Sequence, residues 1–241
     1  MANNLMVAIV GGAGAGKSAS LRNIPNQNKW MYLNAEVNKP LPFNHDFKEV
    51  VVTSAKQAVT SLKAAVKNDK CEGIIIDTFT ALLDMQEMAG KKEGKSDEKE
   101  NKFAVWDKYR DFILTTFQEV VGACNKPLIV LCHTELTKDV KGRSAIRIAV
   151  KGGMKDRGIE SFFTNIVYAD CVDIEDLEGF ENDHLNISET EVDDECKYVL
   201  QTRKVGTGVG LNVRQTMGLW DRKEAYIDND ITIVLNKLAN N

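Results

Sequence analysis

Residues Leu5-Met6-Val7-Ala8-Ile9-Val10 run straight into Gly11-Gly12-Ala13-Gly14-Ala15-Gly16-Lys17-Ser18-Ala19, an apolar stretch followed by a small-residue turn that closes on Lys-Ser. A continuous apolar run of this length fits a strand covered on both faces, as in a parallel sheet. The turn satisfies Gly-x4-Gly-Lys-[Ser/Thr] in the context that gives the pattern meaning, after a strand and before a helix expected from Lys17 to about Asn23 and ended by Pro25. Small residues let successive backbone N–H groups converge on phosphate oxygens, and a helix N-terminus adds a favourable dipole. Residues 11–19 therefore form the expected nucleotide cradle, with Lys17 reaching the β- and γ-phosphates and Ser18 placing its hydroxyl on Mg2+. The plainer alternative is a glycine-rich turn with an incidental Lys-Ser.

Around that turn the rest of the chain can be laid out. With 241 residues, 43% of them hydrophobic, one domain spanning 1–241 with a large buried core is the default. Trp30 to Leu33, Lys48 to Val52, Gly73 to Asp77 and Pro127 to Cys132 read as further strands, the last ending on His133. Ala55, Ala58, Val59, Leu62, Ala65 and Val66 recur at helical spacing, as do Phe103, Trp106, Tyr109, Ile113, Phe117, Val120 and Val121. Strands alternating with helices imply a mostly parallel sheet covered on both faces. The charged stretch from Gly90 to Lys102 reads as a mobile loop. After Val150, shorter runs at Asn165 to Val172, Tyr198 to Arg203 and Leu211 to Thr216 suggest an antiparallel C-terminal extension, followed by a last helix from about Asp230. Between Asp170 and Glu195 there is no Lys or Arg, which reads as a solvated acidic loop or as a partner-binding arm.

Charge and cysteine usage narrow the class further. A net charge of -4 argues against a protein that coats nucleic acid through global charge, so any such site must be local. The five cysteines (71, 124, 132, 171 and 196) are odd in number and widely spaced, which fits free thiols in a reducing compartment rather than a zinc site. Nothing approaches the ~20 apolar residues of a membrane span, so a cytoplasmic location and no membrane partner are expected.

Three further residues fall where parallel sheets gather their ligands, at the carboxyl ends of strands. Asp77 closes a buried strand and suits a carboxylate that holds Mg2+ through water, although Asp also caps helices irrespective of metal. Glu36 lies just past a strand end, positioned to orient or deprotonate an attacking water; a solvated loop glutamate is the alternative. His133, before Thr134 and Glu135, is placed to touch a γ-phosphate or to serve as a polar cap.

Taken in order, the Gly-x4-Gly-Lys-Ser turn, Glu36, Ile74-Ile75-Ile76-Asp77-Thr78-Phe79-Thr80-Ala81-Leu82 and Val130-Leu131-Cys132-His133-Thr134 resemble the RecA-like P-loop ATPase core. The likeness covers roughly residues 5 to 220 and is greatest to phage AAA-type ATPases, including RecA-like single-strand annealing proteins of phage recombination. The resemblance implies an α/β RecA-like P-loop NTPase core, with ATP and Mg2+ as cofactors. Glu36 would be the catalytic base, Ser18 and Asp77 the metal ligands, and His133 the γ-phosphate sensor. It further implies single-stranded DNA, more copies of the chain in a ring or filament, and a single-stranded DNA-binding protein as partners. A DNA-binding loop would follow the sensor strand and use Lys138, Lys141, Arg143, Arg147, Lys151, Lys155 and Arg157; a surface β-hairpin is the alternative. Thr202-Arg203-Lys204-Val205-Gly206-Thr207-Gly208 resembles the basic segment that ring-forming relatives insert into a neighbour's site, which would make Arg203 and Lys204 catalytic in trans. The functions left open are an ATPase promoting annealing or strand exchange, a ring-type DNA motor or loader, a nucleotide-switched scaffold acting through the acidic segment, and, last, a small-molecule kinase.

Overall fold

The structure, a computed structural model, describes residues 3–93, 102–138, 142, 144–155, 157–206 and 210–241. In chain order the regular elements are β1 (Met6–Gly11), β2 (Trp30–Asn34), β3 (Lys48–Val51), α1 (Ala55–Lys67), β4 (Gly73–Asp77), α2 (Phe79–Glu93), α3 (Lys102–Thr115), β5 (Leu128–Lys138), β6 (Ser144–Ile148), β7 (Asn165–Asp173), α4 (Glu189–Asp193), β8 (Cys196–Gln201), β9 (Gly210–Leu211), β10 (Tyr226–Asp228) and α5 (Ile231–Ala239). The main sheet runs β10-β8-β7-β1-β5-β4-β2-β3, with β6 and β9 branching from β5. From β3 to β7 every neighbouring pair is parallel, and β8 and β10 close one edge in antiparallel fashion. The expected mostly parallel α/β sheet with flanking helices is thus the fold.

Period-two alternation along the central strands divides the apolar side chains between two cores. Ala8 and Val10 of β1 join Ile74, Ile76, Val130 and Cys132 on one face, against α1, α2 and α3. Val7 and Ile9 join Ile75, Ile129, Leu131 and Leu200 on the other, where Trp220 and Ile231, Val234 and Leu238 of α5 cover them. The helices are stopped and started by their own sequence: Ser54 caps α1 by accepting from the Gln57 N–H, and Asp230 caps α5 by accepting from Thr232.

Register then brings the ligand-bearing ends together. Gly11 pairs with His133 across β1 and β5, and Asn34 pairs with Asp77 across β2 and β4. The glycine-rich turn leaves the middle of the sheet after β1, between β5 and β7, with the carboxyl ends of β4 and β2 further along the same edge, where open α/β sheets gather their ligands.

Several sequence expectations need correction. The helix after the turn is a single 3-10 segment, Ser18–Leu21, and does not reach Asn23. Pro25 disfavours helical backbone at Ile24, and the Ser20 hydroxyl donates to the Lys17 carbonyl at 2.6 Å, a local bond that competes with continued helix. β5 does not end at His133 but continues to Lys138, because the alternating Thr134-Glu135-Leu136-Thr137-Lys138 pairs antiparallel with β6 in a ribbon leaving the main sheet. β7 is parallel to β1 and belongs to the core sheet, so the antiparallel extension starts only at β8. Of Leu211 to Thr216, just Leu211 lies in a strand, with an isolated bridge from Arg214 to Ile166. Residues 90–93 are the last turn of α2 rather than loop, and 94–101 lie outside the described residues. The acidic segment is not a featureless loop either. It folds into a 3-10 turn at Ile174–Leu177 with Leu177 buried, then into α4, started by a Ser188–Glu191 capping box.

Candidate active site

Gly12 to Ser18 form the turn, and two of its glycines adopt backbone that side-chain-bearing residues avoid: φ is +78° at Gly14 and +84° at Gly16. Gly16 is held from a distance, its carbonyl accepting a 3.0 Å bond from the Asn229 amide just after β10. Lys17 folds back into the turn and caps the Gly11 and Gly12 carbonyls at 3.0 and 2.6 Å. Burial pulls its ammonium below the usual lysine range, opposed by the charges of Asp77 and Glu36.

On the metal side, the Ser18 hydroxyl donates to Asp77 Oδ2 at 2.8 Å, and the Tyr32 phenol donates to the same oxygen at 2.9 Å. Asp77 Oδ1 is buried and has no hydrogen-bond partner among the described residues. Burial raises the Asp77 carboxyl above its ordinary range while the Ser18 bond works against it; burial likewise raises the Tyr32 phenol, helped by the Asp77 charge. An orphaned carboxylate oxygen beside a serine hydroxyl is a hard-oxygen donor set that fits Mg2+, which takes one or two protein ligands and completes its shell with phosphate and water. No cluster of three or more His, Cys, Asp or Glu able to hold a metal occurs among the described residues, so the donors fit that sparse mode and not an all-protein cage.

On the water side, His133 bridges Lys17 and Glu36. Its Nδ1 is 3.3 Å from Lys17 Nζ and its Nε2 is 2.9 Å from Glu36 Oε1. Lysine ammonium has donors alone, so Nδ1 accepts and Nε2–H donates to the carboxylate. The second Glu36 oxygen takes a 3.2 Å bond from Lys39, and its backbone N–H is fixed by Asn34 Oδ1 at 3.1 Å. The His133 bond, more than the Lys39 pair, holds the Glu36 carboxyl down to about 2 against the opposing effect of burial. A carboxylate that acidic orients a water well and accepts its proton poorly.

One cavity of about 990 Å3 is lined by Ala13 to Ala19 together with Tyr32, Glu36, Lys39, Asp77 and His133. The rest of its lining was not legible in the sequence. Arg22, Asn186, Glu191, Lys197, Tyr198, Asp228 and Asn229 contribute it. Lys197 is buried there and ion-paired to Glu191 at 2.8 Å and Asp228 at 3.1 Å. The acidic segment thus supplies part of the cavity wall. A buried phenol needs an acceptor, and that rule applied to Tyr32 in its otherwise apolar strand was the signal available for that residue.

The remaining expected residues lie apart from this cavity. Arg203 is half-buried and donates to the Trp220 carbonyl, and Lys204 is exposed. Lys138 is exposed at the end of β5, Arg147 on β6 is half-buried and lines a small cavity that Glu160 also lines, and Lys155 and Arg157 are exposed. Lys151 is committed to the chain's own carboxylates, bonding Asp84 at 2.6 Å and Glu87 at 2.8 Å. Lys141 and Arg143 lie outside the described residues. No helix among the described residues is long and apolar enough to cross a membrane. Residues 3–209 match a protein-family model described as an AAA domain. No curated protein matches the chain significantly.

Proposed function

The chain belongs to the AAA domain family, and we propose that it is a Mg2+-dependent ATP hydrolase of the RecA-like class that binds single-stranded DNA and promotes annealing or strand exchange in phage recombination. The observation that carries the hydrolase reading is the convergence of Lys17, Asp77, Glu36 and His133 on one glycine-rich turn that lines a cavity. The DNA part rests on the sequence resemblance and on the exposed cations Lys138, Lys155 and Arg157.

In this reading the backbone of residues 12–18 and the Lys17 ammonium hold the β- and γ-phosphates. Lys17 exchanges its present carbonyl partners, Gly11 and Gly12, for phosphate oxygens. Ser18 and Asp77 would hold Mg2+, which would supply neutralising positive charge to the nucleotide when bound. Glu36 orients the attacking water, and His133, between Lys17 and Glu36, registers whether a γ-phosphate is present. Arg203 and Lys204 act in trans on the site of a neighbouring copy in a ring or filament. The scaffold reading loses ground because Asn186 and Glu191 of the acidic segment are engaged in the cavity wall.

ATP turnover with and without single-stranded DNA, at low and high salt, tests the proposal. Lys17→Ala abolishes nucleotide binding. Glu36→Gln binds nucleotide normally and turns over ~10²-fold more slowly, the cost of a misplaced water. DNA stimulates the wild type, less at high salt. Normal turnover by Glu36→Gln removes that residue from the chemistry, and absence of both DNA binding and stimulation at low salt removes recombination. An inactive Arg203→Ala chain rescued by wild-type chains supports the shared site; no rescue refutes it.

A further inference from the structure

Tyr32 is buried in β2, two residues before the strand ends, and its phenol donates to Asp77 Oδ2 at 2.9 Å. The Ser18 hydroxyl donates to that same oxygen at 2.8 Å. Two donors therefore meet on Oδ2 while Oδ1, also buried, has no partner among the described residues. A carboxylate bonded twice through one oxygen has lost its freedom to spin about the Cβ–Cγ bond, and its other oxygen is presented in one direction.

The two donors are not equivalent. Ser18 is itself assigned to the metal, so its hydroxyl has a competing task whenever the metal is bound. The Tyr32 hydroxyl makes its bond to Asp77 and no other among the described residues. Its ring is fixed by packing, stacked on Phe47 at a centroid separation of 5.9 Å and tilted against His45 at 6.0 Å. Its backbone is fixed by the parallel register of β2 and β4, in which Tyr32 pairs with Ile75 and Asn34 with Asp77. The phenol is thus a rigid donor attached to the strand next to the one it orients.

We infer that Tyr32 is a positioning residue for the metal: by holding Asp77 through Oδ2, the oxygen that also meets the Ser18 hydroxyl, it fixes in one orientation the carboxylate that would take Mg2+ or one of its waters. Groups that orient a metal-binding carboxylate from behind set metal affinity without touching the metal, and losing one typically costs ~10–100-fold in that affinity. The inference rests on the Mg2+-nucleotide reading of the site and adds to it a residue from a strand otherwise devoted to the core.

The test is Tyr32→Phe, which removes one oxygen and keeps the ring. Binding of a fluorescent, non-hydrolysable ATP analogue is measured across a Mg2+ titration and again in EDTA, alongside thermal unfolding. The expected result is an unchanged affinity in EDTA and a half-saturating Mg2+ concentration raised roughly 10–100-fold. In an Asp77→Asn background Tyr32→Phe adds nothing further, because the group it acts through is gone. Replacing Tyr32 by fluorotyrosine keeps the packing, alters donor strength and shifts the Mg2+ half-saturation, which covers the case of a Phe variant that does not fold. A wild-type Mg2+ half-saturation in Tyr32→Phe, or in the fluorotyrosine protein, overturns the inference and leaves the ATPase reading intact. A wild type whose nucleotide binding ignores Mg2+ overturns both.

Discussion

Three alanine substitutions in the glycine-rich turn separate what backbone conformation requires from what packing requires. At Gly12 an added Cβ meets nothing within 4 Å and φ is not left-handed. Gly12→Ala therefore stabilises the nucleotide-free protein by about 0.4–1 kcal/mol, through the narrower unfolded ensemble. Gly14 has the same open space but φ of +78°. The left-handed penalty of about 1–2 kcal/mol outweighs the entropic gain, so Gly14→Ala destabilises by about 1 kcal/mol. At Gly16, φ is +84° and the new Cβ would lie 2.6 Å from Asn229 Nδ2 and 3.1 Å from Tyr198 Cδ1. The Asn229 amide must move off the Gly16 carbonyl it now bonds at 3.0 Å. Leaving that nearly buried amide unsatisfied adds about 1–3 kcal/mol, bringing Gly16→Ala to about 2–4 kcal/mol. Urea unfolding of the nucleotide-free variants reads the series directly. If Gly12→Ala proves as destabilising as Gly16→Ala, the assignment of the turn's conformation and of the Asn229 contact is wrong.

Two electrostatic predictions follow from the same cavity. The Glu36 carboxyl is held at about 2 against an ordinary glutamate value of 4.5, so its pairing stabilises the fold fully above about pH 4.5 and loses that effect as pH falls towards 2. The ceiling is about 3 kcal/mol; with His133 38% and Glu36 19% exposed, solvent screening reduces it to about 1. Wild type should exceed Glu36→Gln in stability at pH 7 by about that amount and by much less at pH 3; a gap that is constant or wider in acid contradicts the pairing. Elsewhere in the cavity wall, Lys197 is 6% exposed between Glu191 and Asp228, which are 31% and 23% exposed. Lys197→Met strands two partly buried carboxylates and should cost about 2 kcal/mol at neutral pH, less once they protonate. Chemical denaturation at pH 7 and pH 4 checks this, and a Lys197→Met protein as stable as wild type at pH 7 rejects it.

The parts of the fold that were legible in the sequence are those where one local pattern decides the outcome. β4 is legible residue for residue because Gly73 and Asp77 bound an unbroken apolar run, and the apolar repeat from Ala55 to Val66 announces α1. The missed boundaries are decided by partners far along the chain. His133 reads as a strand end because polar residues follow it, yet β6 pairs those residues and extends β5 past it. β10, at three residues, is too short for any periodicity, and it exists because β8 offers an edge. The candidate site divides the same way. Lys17, Ser18, Asp77, Glu36 and His133 each stand directly on or after a recognisable strand, so their convergence follows from parallel pairing alone. Tyr32 lies inside an apolar strand run, and Lys197, Tyr198 and Asn229 reach the cavity through the C-terminal edge of the sheet, whose order no local pattern encodes.

The bond between Gly16 and Asn229 also places the turn in time. Its two ends are 213 residues apart, and the Arg22 bond to the Asn229 carbonyl spans 207. At a synthesis rate of ~5–20 residues per second, roughly 10–40 s separate the making of the glycine-rich loop from the making of the residue that pins it. During that interval β1 and β2 can be covered, but the loop has no anchor for its left-handed Gly16. A nascent chain therefore carries a nucleotide loop long before it carries a finished one, and the segment around residue 229 determines when residues 11–18 become competent to hold a ligand.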